Sequence, residues 1–522
     1  MAEPRQLVRV RMVLLSFCFL LFHYSWSAPA LPRTPAGTLC VRHERDALLD
    51  FKAGLTDPSN LLSSWRGAEC CWWRGVICSN RTGNVVTLQI HNLGGEIRSS
   101  LLTLPHLKQL DLSGNNFGGK PIPELMGSLG RGRLTHLDLS DSNFGGRIPP
   151  HLGNLSNLVS LQLYHMSHGS YSPDLAWVSR LTKLQVLVMT EVDLSAAVDW
   201  THAINKLPNL LDLDLSYSAL HNSMPSPVHS NLTSLETLNL DGNSFTTSLG
   251  AKNLAWDLPS LQELFLTDCG IDGPIPDAVG NLTSIQLLYL GYNNFTGTVP
   301  LTFKKLENLQ ELILVSNFIN MDVTELLHRL PSDELQMLDL AKNYLTGCLP
   351  ARLGHFSSLT MLWLGSNELS GEIPVGIREL INLKLLSLTS NNLHGTISED
   401  HFTNLTTLED LDLSDNSLTL KIDNTWKPPF YLFIANFRSC ILGPRFPDWL
   451  NQPLIIELDV SNTSIHGRIP VWIANSPVQF LDLSKNRLVG RLPTFSPLST
   501  IQKLDVSSNQ IVGPIPTLPS YL

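Results

Sequence analysis

From residue 85 onward, Leu alternates with polar residues in short bursts, most of them followed three positions after the second Leu by an Asn. Anchoring every burst on the first apolar residue of an L-x-L-x-x-N core gives starts at positions 88, 110, 137, 161, 187, 213, 238, 264, 288, 312, 338, 362, 386, 411, 435, 458, 481 and 504, eighteen units spaced 22 to 27 residues apart. LDLSGNNF from Leu110, LYLGYNNF from Leu288, LWLGSNEL from Leu362 and LDLSKNRL from Leu481 show the pattern most plainly. A unit this short cannot bury its own apolar face, so the pattern predicts a stacked array with one continuous core. The period-two alternation predicts a short strand with its Leu side chains turned inward. Stacked about 4.8 Å apart, eighteen such strands predict a parallel sheet following an arc on the order of 85 Å.

The recurring Asn is predicted to turn inward and satisfy backbone groups freed at the bend after each strand. The ladder comprises Asn115, Asn243, Asn293, Asn317, Asn343, Asn367, Asn391, Asn416, Asn486 and Asn509. Ser142, Ser218, Thr463, Cys269 and Cys440 stand in for it elsewhere, while Met166 and Val192 interrupt it. The repeats around Leu161 and Leu187, which also lack a clear Gly-x-Ile-Pro, are therefore expected to be locally irregular.

Residues 1–30 have the make-up of a secretory signal, with Arg5, Arg9 and Arg11 ahead of the apolar stretch Met12 to Phe22. That stretch is about half the roughly 20 residues a spanning helix needs, and polar residues break every later apolar run. Residues 31–84 are predicted to form a cap, because the first repeat of a solenoid must be covered. A helix from about Glu44 to Gly54 would place Ala47, Leu48 and Phe51 on one face, with Trp65, Trp72 and Trp73 adding apolar area.

Four of the eight Cys, Cys40, Cys70, Cys71 and Cys78, crowd into this cap. Adjacent Cys70 and Cys71 are poorly placed to bond each other, which pairs Cys40 with Cys70 and Cys71 with Cys78 and fits an oxidising compartment. Zinc is the rival reading, but the spacing does not match the paired short loops of a zinc site. Cys269 and Cys440 are expected to be small buried hydrophobes and Cys348 to be more exposed.

Beyond the Asn, the repeats continue as L-x-G-x-I-P: FGGRIP to Pro149, IDGPIP to Pro276, FTGTVP to Pro300, LSGEIP to Pro374, IHGRIP to Pro470 and IVGPIP to Pro516. This resembles the plant leucine-rich repeat, and Cys40, Glu44, ALLDFKAGL, SSW and ECCWWRGVIC resemble the plant N-terminal cap. WKPPF from Trp426, Cys440, LGPRFPDWL and Gln452 are similar to the group of receptor-like proteins that includes xylanase-elicitor receptors. The resemblance implies an α/β repeat solenoid, a superhelix or horseshoe with a parallel concave sheet, a disulfide-linked cap at 31–84 and the array at 85–522. It implies an extracellular recognition region that binds a peptide, protein or glycan in defence or developmental signalling, through a co-receptor or adaptor kinase and without a cofactor. A secreted inhibitor of a pathogen cell-wall hydrolase and a non-signalling decoy are the alternatives. Similar receptors continue into further repeats, a C-terminal cap and a membrane anchor, so a chain stopping after TLPSYL is expected to be a truncated form, at the plasma membrane's outer face if a longer form exists and otherwise secreted.

Lys and Arg total 36 against 46 Asp and Glu, a formal charge of −10, with the basic residues scattered rather than striped. That argues against a nucleic-acid partner. Seven N-x-S/T sequons at Asn80, Asn154, Asn231, Asn281, Asn294, Asn404 and Asn462 fit a glycoprotein. Four of them, Asn154, Asn231, Asn281 and Asn404, fall at one repeat position, expected on the convex or lateral side. Binding is then expected on the concave strands, where the positions between paired Leu present Phe265, Tyr289, Ile313, Asp339 and Trp363, with Tyr217, Glu263, Tyr292, Glu311 and Lys342 beside them. The competing reading is that these are ordinary strand-formers on a solvated face. Catalysis finds no support. The recurring Asp111, Asp138, Asp214, Asp339, Asp412, Asp459, Asp482 and Asp505 belong to the L-D-L template, His165 and His168 lack zincin spacing, and neither a G-x-S-x-G elbow nor a kinase signature set is present.

Overall fold

A computed structural model describes residues 40–167, 169–221, 231–245, 256–496 and 499–517. The signal segment 1–30 and His168 lie outside the described residues. Each anchor position sits on a short strand, and consecutive strands pair in parallel with the anchors opposite one another: Leu88 with Leu110, Leu288 with Leu312, Leu338 with Leu362, and Leu481 with Leu504. Ala435 keeps the register at the one anchor that is not Leu. Strand Val76–Cys78 joins the first repeat antiparallel and starts the sheet, which runs to Lys503–Asp505. The anchoring Leu side chains are buried along most of the array and join one core cluster that extends back into the cap. Each burial is worth roughly 2 kcal/mol relative to an exposed side chain.

Past the bend, the L-x-G segment of many repeats adds a second short strand. Three lateral sheets result, one from Asp272–Pro274, Asn294–Gly297 and Phe318–Ile319, one from Ser370–Gly371, Asn392–Ile397 and Ser417–Leu420, and one from His466–Gly467, Arg487–Gly490 and Gln510–Ile511. The Pro ending the motif then terminates the strand and starts a convex 3-10 turn, as at Pro149, Pro276, Pro300, Pro374 and Pro470. Its fixed φ and missing N–H suit a position where the ladder must stop. At the two repeats with interrupted ladders, Met166 and Val192 are buried and the lateral sheet shrinks to isolated bridges from Arg147 to Tyr171 and from Tyr171 to Asp193.

The Asn ladder stitches neighbouring repeats together. Asn317 accepts from the Phe295 N–H at 3.0 Å and donates to the carbonyls of Leu290 and Leu314, both at 3.0 Å. Asn367 and Asn391 repeat this geometry two and three units along. Four of the substitutes keep the donation to the preceding repeat, as Ser218 Oγ to Met189 O at 2.9 Å and Cys269 Sγ to Leu240 O at 3.1 Å, whereas Thr463 donates to Val460 O of its own repeat. Cys269 and Cys440 are buried, which pushes each thiol up to about 12, and Cys348 is exposed.

The cap helix runs Arg42–Ala53 and buries Glu44, Ala47, Leu48 and Phe51. Cys40 is bonded to Cys70 and Cys71 to Cys78. Glu44 accepts from the Val85 N–H at 2.6 Å, joining cap to first repeat; burial raises its carboxyl despite that bond. Trp65 and Trp73 stack with centroids 5.4 Å apart, each donating its indole N–H to a backbone carbonyl. Trp72 departs from the expectation: it is 68% exposed, because the 3-10 turn Cys70–Trp72 that brings both disulfides together directs it away from its neighbour.

Candidate ligand-binding face

In-register pairing places Phe265, Tyr289, Ile313, Asp339 and Trp363 side by side on consecutive strands of the concave sheet. Glu263 and Glu311 head two of the same strands. The ring of Tyr289 meets Phe265 edge-on at a centroid distance of 5.0 Å, and its hydroxyl donates to the Glu311 carboxylate. Burial, reinforced by Glu311, pushes the Tyr289 phenol up; burial also raises Glu311, although the Tyr289 bond partly offsets it.

The face is more closed than the alternation predicts. Phe265 is 5% exposed and Trp363 8%, and Asp339 is also buried. The cause lies across the strands: large side chains in register about 4.8 Å apart cover one another's faces. Tyr289, Ile313, Glu263 and Glu311 remain half-buried. The repeating Asp residues are likewise held rather than free. Asp138, Asp214, Asp339, Asp412, Asp459 and Asp482 each accept from the backbone N–H two residues on, an Asx turn that steers the chain out of the strand. Burial pushes Asp138 up to about 6 and Asp339 up to about 7, and Asp241 in the next column also rises to about 7.

Tyr217, Tyr292 and Lys342 do not stand on the strands. They occupy the turn just beyond, where successive repeats place a residue with φ near +50°, among them Asp268, Ser316, Ser366 and Lys485. Each of the three donates its N–H to the following repeat, Tyr217 to Asp241, Tyr292 to Val315 and Lys342 to Gly365, so backbone bonds hold the left-handed turn and the side chain is left at the inner rim. Tyr217 is 54% exposed and lays its ring over Gly242, where a Cβ would come within 2.3 Å of Cδ1.

All seven sequon Asn residues are exposed. Asn154 and Asn281 end convex 3-10 turns, whereas Asn294 begins a lateral strand. Asn462 is different: its φ of 56° puts it in the rim column with Tyr217 and Tyr292.

Column alignment also brings in residues that the spacing of aromatics did not mark. Leu287, Met337, Met361 and Leu385 precede the anchors of repeats 9, 11, 12 and 13 and are half-buried on this face. Two Gly, Gly291 and Gly365, lower the third column, and Val315 and Thr389 pack over them. The arrangement is a continuous face of aromatic, apolar and carboxylate side chains; among the described residues the only cluster with metal-binding geometry is Cys40, Cys70 and Cys71, all three in disulfides.

This array, capped and laterally stranded, is a leucine-rich-repeat solenoid of the plant type. Residues 41–79 match the leucine-rich-repeat N-terminal domain, and residues 106–129, 133–155 and 259–319 match leucine-rich-repeat families. The receptor-like proteins EIX2 and EIX1 of Solanum lycopersicum are each 34% identical over 82% of this chain and 50% of their own length. The chain thus spans about half the length of these curated relatives. In structure it is similar to a chain of the crystal structure of the Arabidopsis receptor kinase HAESA in complex with the peptide hormone IDA and the co-receptor SERK1, at 26% identity and TM-score 0.67, covering 91% of this chain and 87% of that one. The plant peptide hormone receptor RGFR1 in complex with RGF2, at 23% identity and TM-score 0.60 over 84% of each chain, shares the fold. The chain belongs to the plant leucine-rich-repeat receptor-like proteins and has the non-enzymatic, extracellular leucine-rich-repeat fold of that family.

Proposed function

We propose that this region recognises an extracellular peptide, protein or glycan on its concave face and hands the signal to a co-receptor or adaptor kinase, in defence or development. The carrying observation is the contiguous column from Phe265 to Trp363, bordered by half-buried Leu287, Met337, Met361 and Leu385 and by the rim residues Tyr217, Tyr292 and Lys342. Aromatic and apolar groups at the centre of a surface with charges beside them are the usual composition of a binding hot spot. The convex sequons support the choice, since glycans at Asn154 and Asn281 would encumber the opposite side. The receptors whose structures resemble it were solved with peptide hormones, one also with a co-receptor.

Among the described residues no helix is long and apolar enough to cross a membrane. The test is proximity labelling at the surface of plant cells by the tagged full chain, comparing wild type with the concave variant Tyr292→Glu/Met361→Glu and the convex control Val471→Glu, Val471 being 74% exposed. Loss of labelled extracellular and kinase-bearing partners in the concave variant alone is expected. Identical labelling by all three proteins would overturn the assignment.

A further inference from the structure

Charge is segregated between the two sides of the solenoid. Four residues per repeat face the concavity or its rim: the one before the anchor, the one between the paired apolar residues, and the two that follow. Over eighteen repeats these positions hold 18 Asp and Glu and only four cations, Lys342, Arg438, Lys485 and Lys503, a formal −14. The whole chain carries −10, so everything outside this face sums to +4, of which residues 1–30 supply +2 and the remainder is close to neutral.

The negative charge is also distributed in a definite order. Repeats 2–7 contribute seven carboxylates and no Lys or Arg at these positions, repeats 8–13 four carboxylates against Lys342, and repeats 14–18 seven carboxylates against three cations. Between the two flanks, eight of the twelve residues in the first two columns of repeats 8–13 are apolar or aromatic, including Leu287, Met337, Met361 and Leu385. Six strands about 4.8 Å apart make this apolar strip about 24 Å long, and the two columns are about 7 Å apart. An extended chain at about 3.4 Å per residue covers the strip with about seven residues. A helix of roughly 10–12 Å diameter would overhang it.

Resting on the concave-face reading above, we infer that the ligand is a cationic polypeptide segment, bound extended along the arc, with about seven apolar-rich residues at its centre and Lys or Arg on either side. A polyanionic glycan would be repelled along both flanks, and a neutral one would leave the flanking carboxylates without counter-charge. Asp138 and Asp241, one on the first flank and one at its inner end, already sit in a desolvated surface beside further Asp residues. A cation laid over them restores what burial removes.

The probe is a displayed library of random 20-residue peptides, selected on the glycosylated full chain. Enriched peptides should carry the apolar centre and basic flanks. Their synthetic forms should weaken at least about tenfold when Lys and Arg are exchanged for Glu, when NaCl rises from about 0.05 to 0.5 M, or in the triple variant Asp412→Asn/Asp459→Asn/Asp482→Asn, whose amides keep the Asx acceptor but not the charge. Enrichment of neutral or acidic peptides whose binding is still lost in Met361→Glu overturns the charge assignment and leaves the concave site standing. Peptides indifferent to Met361→Glu, or no enrichment, overturn both.

Discussion

Replacing Asn317 by Ala tests whether the polar ladder, and not only the Leu core, holds adjacent repeats together. The substitution removes three buried hydrogen bonds of 3.0 Å: one from the Phe295 N–H to Oδ1, and two from Nδ2 to the carbonyls of Leu290 and Leu314. At about 1 kcal/mol net per bond, and with the Phe295 N–H then buried without a partner, the loss should be about 3–5 kcal/mol. Asn317→Ser supplies the graded control. A hydroxyl at this position reaches the preceding carbonyl, as Ser218 reaches Met189, but does not accept from Phe295 N–H, so about 1–3 kcal/mol should be lost. Because each repeat contacts only its neighbours, the damage should concentrate at the junction of repeats 9 and 10. Urea unfolding gives the magnitude, and amide exchange resolved by mass spectrometry gives the location. An Ala variant within about 0.5 kcal/mol of wild type, or a Ser variant as unstable as Ala, would refute the reasoning.

Removing the Cys40–Cys70 bond, which closes a 30-residue separation, should cost about 3.6 kcal/mol by chain entropy, and removing Cys71–Cys78, separated by 7, about 2.4; limited proteolysis of Cys→Ser pairs should show the cap loosening in that order. Gly242→Ala should destabilise by about 1–3 kcal/mol and displace Tyr217, because a Cβ meets its ring at 2.3 Å and φ is +67°, an effect that Tyr217→Ala in the same chain should partly relieve when thermal midpoints are compared. Asp241 and Asp339, up at about 7, and Asp138, up at about 6, bind protons more readily folded than unfolded, so stability should rise as pH falls from 8 towards 6.5. His136, whose pKa burial depresses, opposes the gain below that. A urea midpoint that falls between pH 8 and 6.5 would contradict these assignments.

Strand register was legible because a burst of L-x-L leaves no choice of inward face: a shift of one residue would bury Asp111 or Asp482 and expose two Leu. Leu110 and Leu481 lie opposite the partners that the anchors imply. The Asn ladder was legible for a related reason, since an amide after a strand that bends sharply has few other tasks. What a strand's own residues do not show is how much of a side chain its neighbours cover. Phe265 and Trp363 look exposed one strand at a time and are closed off only by Tyr289 and the adjoining repeats. Tyr217, Tyr292 and Lys342 were grouped with the strand face, yet the left-handed turn moves them to the rim. Trp72 sits beside Trp73 in sequence and on the opposite side of a tight turn in space.

The interrupted ladder at Met166 and Val192 has a mechanical meaning. Loaded along its axis, the solenoid carries tension through inter-repeat links in series, and a series yields at its weakest member. At most other repeats the ladder residue donates a proton across the gap, as Asn317, Ser218 and Cys269 do; a thioether and an isopropyl group have none to donate, and beside Met166, among the described residues, only the Ser170 hydroxyl, donating to Phe144 O, makes up for it. The lateral sheet is also reduced there to single bridges. If this ectodomain is pulled or flexed by what it binds, the arc should open first around the strands at Leu161 and Leu187, leaving the aromatic strip from Phe265 to Trp363 to move as one piece.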